Sequence, residues 1–362
     1  MDFELTTETF FRLIQISLGV ADRFDATPDI QHWHQLLDES LRQTLTGIIY
    51  GGLDRLPEDQ RPPKAVLINW HAEASRIQHR NRLLDHVSVW TSTRFQKEGF
   101  PGVILKGQAN ARLYPDPSLR ISGDVDIWLQ GRREAILGYV LRRFPKQRVQ
   151  WHEVEFPVRS DVTIEVHTTP SFLFCPTDNR RLQSFYRSHA PEVLQNHLAL
   201  PEGYVNEPTT LVNLVFQLTH IYRHLFYEGI GLRQLMDYYY LLRTPEAQAC
   251  REEALTVIRS LHMERFCQAV MWVLGYVFLL PQTEMLALPD EREGSFLLDE
   301  VMRAGNFGRY DERNNMKTSA WGNFWQITNR NLRFLRSYPR EVLCNPPYRI
   351  AQFAWRKWKG YR

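Results

Sequence analysis

The sequence predicts an α+β protein in which a small mixed sheet is flanked by helical N- and C-terminal regions, and three observations carry that prediction. Apolar residues recur at helical spacing up to about residue 97, short runs of β type occupy residues 98–170, and helical spacing returns from Pro208 onwards. The expected divisions are a helical N-terminal region over 1–97, a sheet-bearing core over 98–170, and a helical C-terminal domain over 171–362 that ends in a basic, aromatic tail. A chain of 362 residues exceeds the usual size of one domain, and 43% hydrophobic with 23% charged residues is ordinary for a packed soluble protein.

In the N-terminal region Phe10, Leu13, Ile14 and Ile16 form one apolar stripe, and Leu36, Leu37, Leu41 and Leu45 form another. The segment GGLDRLPEDQRPPKAV at 51–66 interrupts the pattern as a loop, after which a long polar-faced helix runs through Arg94. The β-type runs are Gly102–Leu105, Asp124–Leu129, Arg148–Val158 and Val162–Thr168. The last two, joined at Arg159 and Ser160, predict an antiparallel hairpin and hence a mixed sheet. Helical period resumes in TTLVNLVFQLTHIYRHLF and GLRQLMDYYYLL. The longest apolar run, the 12 residues Ala269–Leu280, is far short of the roughly 20 needed to span a bilayer and predicts a buried core helix, with no transmembrane segment.

Bulk properties exclude several classes. A net charge of +3 demands no polyanionic partner. Cys175, Cys250, Cys267 and Cys344 are too scattered for a zinc site or a disulfide framework, so reduced thiols are expected. The start, MDFELTTETFFRLIQ, lacks the basic and apolar pattern of a secretory signal, which predicts a cytoplasmic protein.

The chemistry is concentrated in VILKGQANARLYPDPSLRISGDVDIWL, Val103–Leu129. A strand ends at Leu105 and Lys106, Gly107 supplies a tight turn, and QANARLY opens a helix, an arrangement that suits anion binding. In GDVDIWL the strand period puts Asp124 and Asp126 on one face and Val125 and Ile127 on the other. Two like charges so placed call for a counter-cation, and oxygen ligands suit Mg2+ or Mn2+. Ser122 and Gly123 leave room beside them. In TIEVHTT, Glu165 and His167 share a face opposite Ile164 and Val166, so a strand lying beside the first would bring Glu165 to the aspartates. Three carboxylates can serve two metal ions, and the reaction expected is in-line transfer of a nucleotidyl group from a nucleoside triphosphate.

These features together, a glycine turn after a strand, DxD on the next strand and then one acidic strand, resemble the DNA polymerase beta-like nucleotidyltransferase superfamily. The fuller wording, LKGQA, YPDP, RISGDVDIWL and IEVH, is similar to the bacterial family known only as uncharacterised nucleotidyltransferases. The resemblance is strongest over Val103–Pro170 and extends more loosely to HIYRHLFYEGIGLRQLMDYYY and to GNFGRY at 305–310. It implies that the core at 98–170 is a nucleotidyltransferase core, with Gly107 as the phosphate-turn glycine, Asp124 and Asp126 as metal ligands, and Glu165 as the third acid. The superfamily's turn usually continues with a second glycine or a serine, where this chain has Gln108.

The candidate catalytic and metal-binding residues are therefore Asp124, Asp126 and Glu165, and the candidate nucleotide-binding residues Lys106, Gly107, Gln108, Arg120, Ser122 and Gly123. Arg120 either contacts phosphate or pairs with Asp116 or Asp124. His167 is a secondary candidate. Arg233 either pairs with Asp237 one helical turn away or reaches the nucleotide. His220 and His224, four apart on a helix without a third ligand, are expected to be structural. The acceptor hydroxyl is not legible. Two rival readings are a non-catalytic nucleotide-binding or scaffolding protein that retains the fold, and an RNA-binding protein. The latter would use the stretch Arg330–Arg362, whose many cations face one acid, Glu341, among Phe334, Tyr338, Phe353, Trp355 and Trp358. The same stretch could instead lie on an anionic membrane surface, or simply wrap the core.

Overall fold

Four helices precede the sheet: α1 (Phe3–Ser17), α2 (Ile30–Arg42), α3 (Thr46–Gly52) and α4 (Lys64–Lys97). They belong to a computed structural model that describes residues 3–311, 313 and 320–361. Asp29 caps α2 by accepting from the His32 amide, and the break at 51–66 holds two short 3-10 turns. α4 has 34 residues, about 50 Å at 1.5 Å per residue. Its first half buries Val66 and Trp70 with α1–α3, whereas Leu84, Val87 and Phe95 of its second half lie on the sheet. One helix thus joins two cores.

The strands are β1 (Gly102–Ile104), β2 (Val125–Leu129), β3 (Glu153–Glu155), β4 (Ile164–His167), β5 (His197–Leu200) and β6 (Gly203–Asn206), in the spatial order β3-β4-β2-β1-β6-β5. β2 runs parallel to β4 and antiparallel to β1, β1 runs parallel to β6, and β3–β4 and β5–β6 are antiparallel pairs. The sheet is mixed, as expected. Three helices lie between strands: α5 (Gln108–Ala111), α6 (Arg133–Arg143) and α7 (Pro176–Val193). The period-2 alternation sorts the sheet's faces. Ile104, Val125, Ile127, Ile164 and Val166 pack under α4 and α6, while Val103, Leu105 and Trp128 join the other core.

That other face is roofed by the remaining helices: α8 (Thr210–Tyr227), α9 (Leu232–Leu242), α10 (Pro245–Ser260), α11 (Glu264–Phe278), α12 (Glu291–Ala304), α13 (Ala320–Asn331) and α14 (Pro339–Lys359). The Ala269–Leu280 run forms most of α11 and the turn after it, buried except at the exposed Tyr276 and Leu279 and the half-buried Trp272 and Gly275. No helix among the described residues is long and apolar enough to cross a membrane. The four cysteines are free.

The structure trims three expectations. The run Arg148–Val158 contributes a strand only at Glu153–Glu155, with an isolated bridge from Val149 to Val154, because the chain bends at Trp151–His152. Its pairing with β4 is the expected antiparallel one, but the connection spans 156–163 rather than two residues. The sheet also takes in β5 and β6 from residues 197–206, whose two short runs meet at the turn Pro201–Glu202.

Candidate active site

β1 ends where Leu105 N still donates to Asp126 O at 3.0 Å, so Lys106, the next residue, leaves the sheet beside β2. Gly107 then turns the chain with φ 62° and ψ −111°, a combination that side-chain-bearing residues rarely adopt. The helix that follows, α5, is four residues long. Its dipole is correspondingly small. The Gln108 side chain is buried and donates to Asp85 of α4, so it braces the turn from behind.

Strand pairing sets Asp126 directly beside Glu165, and Trp128 beside His167. The carboxylates gather on the face opposite the packed Val125 and Ile127, as strand alternation requires. Asp126 is 1% exposed and Asp124, one residue before the strand, 36%. Lys106 Nζ lies 3.1 Å from Asp126 Oδ2 and 3.6 Å from Asp124 Oδ2. Burial favours the neutral amine, but Asp124, Asp126 and Glu165 outweigh it and raise the Lys106 pKa. Asp126 Oδ1 accepts from His167 Nε2 at 2.9 Å, and Glu165 Oε2 lies 3.7 Å from the same nitrogen. Burial again opposes charge, yet the hydrogen bonds to Asp126 and Glu165 drive the His167 pKa up to about 9.

Behind His167 is a second layer that the sequence did not single out. Glu153 Oε2 is 2.6 Å from His152 Nε2 and 3.8 Å from His167 Nε2, and the Arg223 guanidinium of α8 touches His152 Nε2. Burial, helped by Arg223 and His167, pushes His152 down to about 3, while His152, His167 and Arg223 hold the buried Glu153 well below the usual carboxylate range. His152 and Glu153 stand where the sequence predicts mid-strand residues, and an adjacent His-Glu pair was the one available signal.

The loop into Asp124 is pinned from two sides. Asn81 of α4 donates to Ser118 O and Arg120 O at 2.6 and 2.8 Å, and Arg80 to Gly123 O at 2.8 Å. From α9, Asp237 takes a bidentate pair of hydrogen bonds from Arg120 Nε and Nη2 at 2.7 and 2.6 Å, and Arg120 Nη1 holds Ser122 Oγ at 2.5 Å. Asp237 also accepts from Tyr114 at 2.5 Å. Arg120 therefore pairs with neither Asp116 nor Asp124, and the expected Arg233–Asp237 ion pair gives way to this buried one. Arg233 Nη1 instead donates to Ile121 O at 3.2 Å. A Cβ placed on Gly123 would meet nothing within 4 Å, so the space beside Asp124 is open.

A narrow cleft runs from Lys106 past Arg233 to Gln217, His220 and Phe307. His220 and His224 stack edge to face at 4.3 Å within the aromatic roof, in keeping with a structural role. Phe307, in the GNFGRY segment, has φ 55° and sets its ring 5.3 Å from that of His224.

A divalent cation fits these residues. One donor atom each from Asp126, Glu165 and His167 lie within 4.8 Å of one another, and the buried Asp126 Oδ2 is met, among the described residues, by the Lys106 ammonium alone, at 3.1 Å. A carboxylate oxygen left so, beside a second acid, is suited to a cation. The imidazole nitrogen in the set suits Mn2+ at least as well as Mg2+.

No curated protein matches this chain. Among solved structures, an antigenic nucleotidyltransferase-like protein from Paracoccidioides brasiliensis is similar over 58% of this chain and 95% of its own, at 15% identity and a TM-score of 0.31. The family described as uncharacterised nucleotidyltransferase matches residues 29–278, which take in α2 to α11, the whole sheet and every carboxylate above. The chain therefore belongs to the family of uncharacterised nucleotidyltransferases.

Proposed function

We propose that this protein transfers a nucleotidyl group from a nucleoside triphosphate to a hydroxyl acceptor, with Asp124, Asp126 and Glu165 as the catalytic carboxylates. The observation that carries the reading is the juxtaposition of Asp126 and Glu165 on neighbouring parallel strands, with Asp124 at the open edge and the Lys106 ammonium between the two aspartates. Asp124, Asp126 and Glu165 would hold Mg2+ or Mn2+, with His167 as a further donor. Bound there, two such ions supply charge neutralisation for the triphosphate and a lowered pKa for the acceptor hydroxyl.

The chain's own groups account for the rest. The Gly107 turn lets backbone approach a phosphate closely, and Lys106, on a flexible stem, is free to exchange its carboxylate partners for phosphate oxygens. Arg233, facing the cleft, is a second phosphate partner. Arg120 and Ser122 act through position, by holding the loop before Asp124, and Gln108 by bracing the turn. The acceptor oxygen forms its bond to the α-phosphorus as the bond to pyrophosphate breaks, and its proton passes to Glu165. The Glu153–His152–Arg223 layer orients His167.

A non-catalytic nucleotide-binding role is favoured by one feature, the Gln108 side chain that stands where the superfamily has glycine or serine and is tied to Asp85. Calorimetric titration of each nucleoside triphosphate with Mg2+, and with Mn2+, into the wild type and an Asp124→Ala, Asp126→Ala double variant separates these readings. Metal-dependent binding lost in the variant, with turnover reduced at least roughly 10²–10³-fold, is expected. Binding without turnover on any hydroxyl acceptor points to the scaffold, and binding indifferent to metal and mutation removes the metal site altogether.

A further inference from the structure

α14 is apolar on two sides. Its inward side buries Val342 and ties down two charged groups: Glu341 accepts from the amides of Phe174 and Cys175 at 3.0 and 2.9 Å, and Arg349 donates to Phe324 O of α13 at 3.1 Å. Tyr348 stacks on Phe172 at 5.0 Å, and Trp355 packs on Trp151 at 5.1 Å with the Arg133 guanidinium over both indoles. The outward side is Leu343, Pro347, Ile350, Phe353, Ala354 and Trp358. At 100° per residue these fall within one arc of about 140°, interrupted by Lys357, and extend about 22 Å along the axis. Leu343 is 65% exposed and Trp358 79%. An ordinary surface helix hides such a stripe and exposes its charges.

The charge around the stripe narrows what covers it. From Arg330 to Arg362 the one acid is Glu341, which is buried against Phe174 and Cys175, just before α7. Arg333 and Arg340 are paired, but among the described residues no ion pair engages Arg336, Arg349, Arg356, Lys357 or Lys359. A second copy of this chain would bring the same cations face to face, which opposes self-association. Single-stranded RNA would neutralise the cations and stack on Phe353 and Trp358, but it would leave the aliphatic Leu343, Pro347, Ile350 and Ala354 uncovered. A surface with anionic headgroups over an apolar layer matches both halves. Trp358, between Lys357 and Lys359, has the residue types that settle at that boundary.

We propose that α14 lies in the headgroup layer of an anionic lipid bilayer, inserting Leu343, Ile350, Phe353 and Trp358 while Lys357 and Lys359 meet lipid phosphates. The helix docks without spanning, since no helix among the described residues is long and apolar enough to cross. The proposal is independent of the reaction, because none of these residues belongs to the carboxylate site.

The test is co-sedimentation of the full chain with vesicles of phosphatidylcholine alone and of phosphatidylcholine with phosphatidylglycerol. The wild type is compared with Ile350→Glu, Phe353→Glu and with Lys357→Glu, Lys359→Glu double variants. These side chains are on the surface, and unchanged circular dichroism and melting temperature verify the fold. The expected result is binding to the anionic vesicles, weak binding to neutral ones, and about a ten-fold or greater loss in each variant. Three results overturn the proposal: no sedimentation of the wild type with anionic vesicles, equal binding by all three proteins, or an Ile350→Glu-sensitive dimer or poly(U) complex in place of vesicle binding.

Discussion

His152 and His167, with ring centroids 5.6 Å apart in the same buried wall, are driven in opposite directions by their neighbours. His167 faces Asp126 and Glu165, which hold its proton, whereas His152 is desolvated against the Arg223 guanidinium. The consequence for stability is a pair of opposed limbs. With His167 raised to about 9 from 6.5, the folded chain holds a proton that the unfolded chain releases, so its stabilisation is complete below pH 6.5 and is lost as pH rises through about 9. With His152 lowered to about 3, its contribution is complete above pH 6.5 and is lost as pH falls towards 3. In the metal-free protein, melted in the presence of a chelator, these two groups together should favour a pH near 6.5. His167→Gln should flatten the alkaline limb and leave the acid one, and an unchanged alkaline limb in that variant would show that the imidazolium is not held by the carboxylates.

Among the elements, α3 packs closely against the loop that leads to the site. A Cβ on Gly47 would come 2.0 Å from Leu119 O, the residue before Arg120, so only glycine lets α3 lie this close to the loop that leads into Asp124. Gly47→Ala must push backbone away from backbone, and the expected loss is about 1–3 kcal/mol in urea unfolding, as for overpacked cores. Because the displaced loop carries Arg120, Ser122 and Asp124, nucleotide affinity should fall in the same variant while the far-ultraviolet dichroism is retained. Full affinity alongside lowered stability would mean that α4 and α9, through Asn81, Arg80 and Asp237, hold the loop without help from α3.

Across the whole molecule, one buried apolar cluster runs from Phe10 in α1 to Val342 in α14, and α4 couples it to the cluster beneath the sheet. Helices from both ends of the chain thus share one interior, and residues 98–170 leave the sheet without β5 and β6. Unfolding followed by calorimetry should accordingly show a single transition, coincident with loss of the near-ultraviolet signal. Two resolved transitions would favour a division of the chain at about 97 and 170 into units that melt independently.

Local rules were enough to bring the carboxylates into view. Strand alternation in GDVDIWL and TIEVHTT put Asp124, Asp126, Glu165 and His167 on faces opposite Val125, Ile127, Ile164 and Val166, and a glycine after a strand end marked the turn at Gly107, because backbone period and conformational freedom are properties of a few consecutive residues. The α+β class, the acidic face and, through wording at 103–170, the family were therefore legible from local pattern. Tertiary structure alone decided the partners. Arg120 found Asp237 117 residues away; Arg223 of α8 reached His152 across 71; β6 entered the sheet beside β1; and α14 turned an apolar side outwards. Each of these choices depends on which surfaces meet when helices close over a sheet, and charge and burial compete there over distances that no local period encodes.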